Sequence, residues 1–328
     1  MKKTFSFLAV FCLAAVANAT ILRVSNVEGS SAPYSSIGEA LSAAAEGDTI
    51  MVDGSSISYG SLKRNDDMEV AKKVVIIGPG YWLTENGITD IGAASAIIED
   101  IDICAEGASI YGMDIEGQLT IAASKVVVNR CYNLWGIYIE KMLEDIIIHQ
   151  NVLCGGIKGE LYNNSNGIFP PIVTTNNVQI TNNIFTNYPS GSGRGGAISG
   201  FEQSVIANNT WTESLYGNCC LSQIYDSTVR DNIMYKNVND SRCDGTTFSN
   251  NVEINYNEVD LGTIETDLDV KNNEYLMPYS SSAGAFTGDT PYVISGVPAG
   301  PVIQDLIVPA SVEKGSKLQV TIKVGIQQ

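Results

Sequence analysis

An asparagine recurs three residues after an inward-facing apolar residue, six times in succession. Val178–Asn187 reads VQITNNIFTN, and the motif returns as VIANNTW, VRDNIMY, FSNNVEI and VKNNEYL, with an earlier copy IHQNVLC. Taking the last apolar residue before the Asn as register gives Ile110, Val128, Ile148, Ile180, Ile206, Val229, Phe248 and Val270. Three positions on stand Met113, Cys131, Asn151, Asn183, Asn209, Asn232, Asn251 and Asn273, at intervals of 18, 20, 32, 26, 23, 19 and 22 residues. A period of this size with insertions is the signature of a solenoid. The copies hold short alternating runs and no helical pattern, so each turn is built of strands.

Side chains two residues apart on a strand share a face. Two before each register residue lie Ala108, Val126, Ile146, Val178, Ser204, Ser227, Thr246 and Leu268, small or apolar throughout. Intervening residues such as Gln179, Thr228 and Lys271 are polar, so one face stacks inward. A second strand is expected six residues past the ladder position, at Leu119, Ile137 and Ile157, and again in AISG. These features predict an all-β fold, a right-handed parallel β-helix whose turns pair at about 4.8 Å. Asn151, Asn183, Asn209, Asn232, Asn251 and Asn273 then form one column. An inward amide there can donate to the next turn's carbonyl and satisfy buried backbone. The segment SSIGEALSAAAEGDTI predicts an amphipathic capping helix with Ile37, Ala40, Leu41 and Ala44 on one face. It closes a coil end that would otherwise be an open sheet edge.

The first residues carry Lys2 and Lys3, an apolar run and then Ala17-Asn18-Ala19. That is the pattern of a cleavable export signal, cut near Ala19, and it predicts a secreted or periplasmic chain. The expected organisation is a signal over 1–19, a coil with its cap over 20–300, and a strand pair over 301–328 packed on or extending the coil. No later stretch is long and apolar enough to span a bilayer. Loss of the two signal lysines brings the formal charge from −17 to −19. Such a surface repels nucleic-acid phosphates, and it repels polyanionic glycans unless a basic patch or a cation intervenes. A single histidine, His149, argues against a His-based metal site. It is expected on the outer face between Asn129 and Thr181. Cys220 and Cys243 each lie eleven residues past a ladder Asn, which predicts a disulfide across one turn. Cys131 falls in the ladder column as a buried thiol.

The helix followed by AEGDTIMV and then KKVVIIGPG resembles the start of right-handed parallel β-helix proteins of the pectin-lyase-like superfamily. The tail TPYVISGVPAGPVIQDLIVP resembles the C-terminal region of exported bacterial β-helix proteins. The resemblance implies the fold and leaves the activity open, because this fold hosts lyases, hydrolases, esterases and non-enzymes. Polygalacturonase-like hydrolases pair aspartates with a His-Gly element. Here Asp66-Asp67 lies before the regular coils as a solvated turn, and Gln150 follows His149. The Gln-Asp-Thr and Gly-Arg-Pro-Trp elements of pectin methylesterases are absent from the sequence, as are the calcium-ligand and arginine motifs of pectate lyases.

The remaining signal is geometric. Two insertions, Glu160–Asn176 and Asn187–Gly196, flank one strand column and are placed to wall a groove. Its floor is Thr120, Tyr138, Lys158 and Ser199, with Glu140 and Glu160 one step on in shared register. Two stacked carboxylates repel unless a cation such as Lys141, Lys158 or calcium lies between them. One reading is a calcium-assisted polysaccharide lyase, with Lys158 or Tyr138 as base, Arg194 as charge stabiliser and Glu140 and Glu160 as metal ligands. Another is sugar binding without catalysis, using Tyr138, Tyr162, Tyr188, Ser199 and Trp211. A third is a stiff structural or adhesive coil whose outer face carries ordinary scattered charges. The expected partner is a polysaccharide or a cell-surface molecule, and binding without catalysis is the favoured reading.

Overall fold

The computed structural model describes residues 19–88, 94–162, 172–173, 175–186, 197–212, 220–235, 243–255, 261, 264–298, 301–307, 317 and 321–326. The chain winds into a right-handed parallel β-helix with three long sheets of ten, eight and six strands, every pairing within them parallel. The first sheet carries the register residues, as in Ile147–His149 paired with Gln179–Thr181. The third carries the strands expected after the ladder, beginning at Leu119, Ile137 and Ile157. Between them lies a sheet the sequence did not disclose. Its strands are mostly two residues long, such as Val152–Leu153 and Ile184–Phe185, too short for any alternation to show.

The Asn-Asn pair is explained by its backbone. The residue before each ladder position adopts a left-handed conformation: Gly112, Arg130, Gln150, Asn182, Asn208, Asp231 and Asn250, with φ between 50 and 60°. Asn tolerates that region better than most side chains, so the first Asn turns the corner and the second enters the core. From Asn151 through Asn251 the second forms a continuous chain. From Asn183 on, each Oδ1 accepts both the backbone N–H and the Nδ2 amide of the rung before, at 2.9–3.1 Å. The amide also donates to a backbone carbonyl of the preceding turn, Val128 for Asn151 and Ile180 for Asn209, where the next turn's carbonyl was expected. Cys131 begins the column, its N–H donating to Asn151 Oδ1 at 2.9 Å. At the other end of the first-sheet strands runs a second column, of hydroxyls. Val178, Ser204 and Ser227 donate their N–H groups to Ser204, Ser227 and Thr246 in turn. Residues expected to be merely small therefore satisfy buried backbone as well.

Asn273 is not a rung. Val270 lies in helix α2 (Asp267–Asn272), and Asn273 is its C-cap. Thr266 and Asp269 form a capping box at the helix start, and that local signal outweighs the VKNN resemblance to a rung. The last described coil strand is Val252–Ile254. Phe248, at an inward position, is accordingly 39% exposed, because no described rung covers it.

Helix α1 (Ile37–Ala43) buries Ile37, Ala40 and Leu41 and is N-capped by the Ser36 hydroxyl. Its C-terminal carbonyls, Leu41, Ser42 and Ala44, receive the Lys72 ammonium at 2.7–2.9 Å, a cation at the negative end of the helix. Residues 264–298 cover the outer face of the second sheet. Val152, Ile184 and Ile233 pack there against Val270, Leu276 and Tyr292, while Leu153, Phe185 and Trp211 fill the coil interior. This cover buries both residues of strands such as Ile184–Phe185. The strands Pro301–Ile307 and Thr321–Ile326 pair antiparallel.

No disulfide joins Cys220 to Cys243 among the described residues. The Asp226 N–H donates to the Asp244 carbonyl, which sets Cys243 beside Ile224, four residues beyond Cys220. That is about 13 Å of strand, too far for an S–S bond. Equal spacing from the ladder was a poor guide, because the two turns carry different insertions.

Candidate functional site

The third sheet is a ladder of triplets, Ile-Asp-Ile, Leu-Thr-Ile, Ile-Tyr-Ile and Ile-Lys-Gly, whose outer residues are buried and whose central residue faces out. Pairing places Asp102, Thr120, Tyr138, Lys158 and Ser199 side by side in one outward row. Lys158 is exposed, and Tyr138 and Ser199 are half-buried. The segment from Leu62 to Val70 runs alongside the row's first strand, bridging to Ile101 and Ile103. It brings two cations to the row. Lys63 pairs with Asp100 at 2.8 Å. Arg64 pairs with Glu140 at 2.6 Å and lies 3.5 Å from Asp102.

Arg64 changes the chemistry expected of this face. The cation beside Glu140 is the guanidinium of Arg64, from 76 residues upstream, rather than Lys141 or Lys158. Its hydrogen bond to Glu140 holds Arg64 above its ordinary pKa. Glu160 has a different partner, the Tyr138 phenol, whose pKa is raised first by burial and then by that carboxylate. Tyr138 is thus a protonated donor at neutral pH and a poor general base. With Glu140 committed to Arg64 and Glu160 to Tyr138, this pair does not fit a calcium site. Among the described residues no three acidic, thiol or imidazole groups converge on a point.

Other expected groups lie elsewhere. Trp211 is 1% exposed and stacks on Phe185 inside the coil, centroids 4.5 Å apart, so it offers no outer platform. Tyr162 belongs to the short strand Leu161–Tyr162, paired antiparallel with Ile172–Val173, and its side chain is outside the described residues. Tyr188 and Arg194 are outside them too. His149 stands in the first-sheet row between Asn129 and Thr181. Its Nδ1 faces the Thr181 hydroxyl at 2.8 Å, and burial lowers its pKa.

Sequence reasoning passed over Asp114, a carboxyl pushed up to about 7 by burial and then by Glu116. Its Oδ1 is buried without a hydrogen-bond partner. It sits on the second sheet in the strand Asp114–Ile115, where a two-residue strand gave no alternation to mark it. The third-sheet face therefore presents two hydroxyls, a phenol and an amine in register, beside acids of which Asp100 is paired with Lys63, and Asp102 and Glu140 share Arg64. That arrangement suits hydrogen bonding to a polyhydroxylated chain. No protein-family profile, characterised protein or solved structure matches this chain.

Proposed function

We propose that this is an exported β-helix of the pectin-lyase-like type, and that its third-sheet face binds a neutral polysaccharide without cleaving it. The observation that carries the reading is the outward row Thr120, Tyr138, Lys158 and Ser199, set at the spacing of adjacent strands. An extended glycan lying across several turns would meet one donor or acceptor per rung, each worth about 1 kcal/mol. Neutral rather than acidic chains are favoured, because the protein carries a formal charge of −17 and Lys63 and Arg64 are already paired on this face. Binding is favoured over β-elimination because such a reaction needs a base and a cation on one point. Here Tyr138 keeps its proton and Arg64 is taken by Glu140.

The test is affinity electrophoresis of Thr20–Gln328 through gels holding neutral or acidic polysaccharides, with ultraviolet and reducing-end assays on the same mixtures. Retardation by a neutral glycan with no new chain ends is expected. The double substitution Tyr138→Ala, Lys158→Ala should weaken it about tenfold or more. Free mobility in every gel would overturn the reading. Unsaturated ends would replace it with a lyase, and new reducing ends without them would mean hydrolysis.

A further inference from the structure

The C-terminal cover crosses the corner between the first and second sheets, and a cleft of about 430 Å³ lies at that crossing. Arg130, Gln150 and Lys271 line it together with residues 290–294 and Ile88. A smaller cleft of about 290 Å³ adjoins it, sharing Arg130 and bounded by Tyr111, Asn129 and Pro298. Two cations and no carboxylate line the larger cleft, on a chain whose formal charge is −17.

Arg130 has no ion-pair partner among the described residues. Its Nε donates to Gln150 Oε1 and its Nη1 to the Val297 carbonyl, both at 2.8 Å and both neutral acceptors. A guanidinium has five N–H groups, so three remain for a ligand. Burial lowers the Arg130 pKa, and only tyrosines act to raise it. The buried carboxylate on helix α2, Asp267, spends its oxygens on Tyr292, the Ser295 N–H and Asn86. The backbone adds an independent observation. Arg130 has φ 55° at a corner where other turns carry Gly112, Gln150, Asn182, Asn208, Asp231 and Asn250. A long side chain sits there against the conformational preference of the position.

We propose that Arg130 and Lys271 form a binding site for the carboxylate of a sugar acid. A guanidinium fork matches a carboxylate in shape, and both clefts together hold a single sugar ring. The site lies at a different corner from the third-sheet face and does not depend on polysaccharide binding there.

Glucuronate titrated into Thr20–Gln328 and followed by calorimetry tests the site, with glucose and inorganic sulfate as comparison ligands. Saturable glucuronate binding that weakens with salt is expected, with none for glucose. Arg130→Asn places the residue this corner favours, so the fold should hold while affinity falls at least about tenfold. Lys271→Gln, at an exposed position, should weaken binding about threefold. If Arg130→Asn fails to fold, Lys271→Gln decides alone, and unchanged affinity there would overturn the site. The proposal also fails if wild type shows no saturation, if folded Arg130→Asn binds as well, or if glucose competes equally. Sulfate binding as tightly as glucuronate would replace the sugar acid with a bare anion.

Discussion

Replacing Asn209 with alanine is expected to cost about 4–6 kcal/mol, enough to unfold much of the coil at room temperature. Asn209 is fully buried. Its Oδ1 accepts the Asn183 N–H and Nδ2, both at 3.0 Å, and its Nδ2 donates to the Ile180 carbonyl at 2.9 Å and to Asn232 Oδ1 at 3.0 Å. Alanine strands a backbone donor, a backbone acceptor and two amide contacts. Each buried group left unmade costs about 1–3 kcal/mol. The loss also falls at an interface between turns, the term on which solenoid stability depends. Urea denaturation followed by far-ultraviolet circular dichroism measures it. The neighbouring Asn208→Gly is the control, because glycine suits the left-handed corner and only the Asn208 amide bond to Thr287 Oγ1 is lost. That variant should stay within about 1 kcal/mol of wild type. Equal midpoints for the two variants would show that the asparagine column does not hold the turns together.

Asp114→Asn is expected to stabilise the protein, and to do so more at pH 8 than at pH 5. In the folded chain this carboxyl is held at about 7 by burial first and by Glu116 second, against 3.8 for the ordinary group. Between those values the folded state keeps a proton that the unfolded state releases, so stability falls as pH rises. Below about pH 4 both states are protonated and nothing is lost. Above pH 7 the native state holds a buried charge whose Oδ1 has no partner, at a cost of up to about 4 kcal/mol. Asparagine removes the charge and retains the shape, so its advantage should grow from pH 4 to 7 and then level off. Denaturation midpoints at pH 5 and pH 8 check this. A variant less stable than wild type at pH 8 would mean that the ionised carboxylate is satisfied in solution.

The coil was legible because its rule is local and repeats. Ile148, Ile180 and Ile206 pair in register where their spacing put them, and Leu119, Ile137 and Ile157 begin third-sheet strands. The same locality misled at Asn273. VKNN copies a rung in spelling, yet a rung forms only where a preceding turn offers its edge, and here the Thr266 capping box began a helix instead. It misled at Trp211 as well, where alternation alone could not say that the second sheet is covered on both faces.

By itself the sequence determined the winding of this chain: strand period, turn length, and an asparagine wherever a corner had to hand its hydrogen bonds to the next turn. Those features depend on residues within one turn and its neighbour. Only the tertiary structure decided what the surfaces carry. Arg64 reaches Glu140 across 76 residues, and Asp267 ties down Tyr292 and Asn86. Arg130 stands between Gln150 and Val297 with N–H groups to spare. Charges and long side chains act across whatever folding brings near them, and the neighbours they acquire are set by how many turns lie between, which no local pattern records.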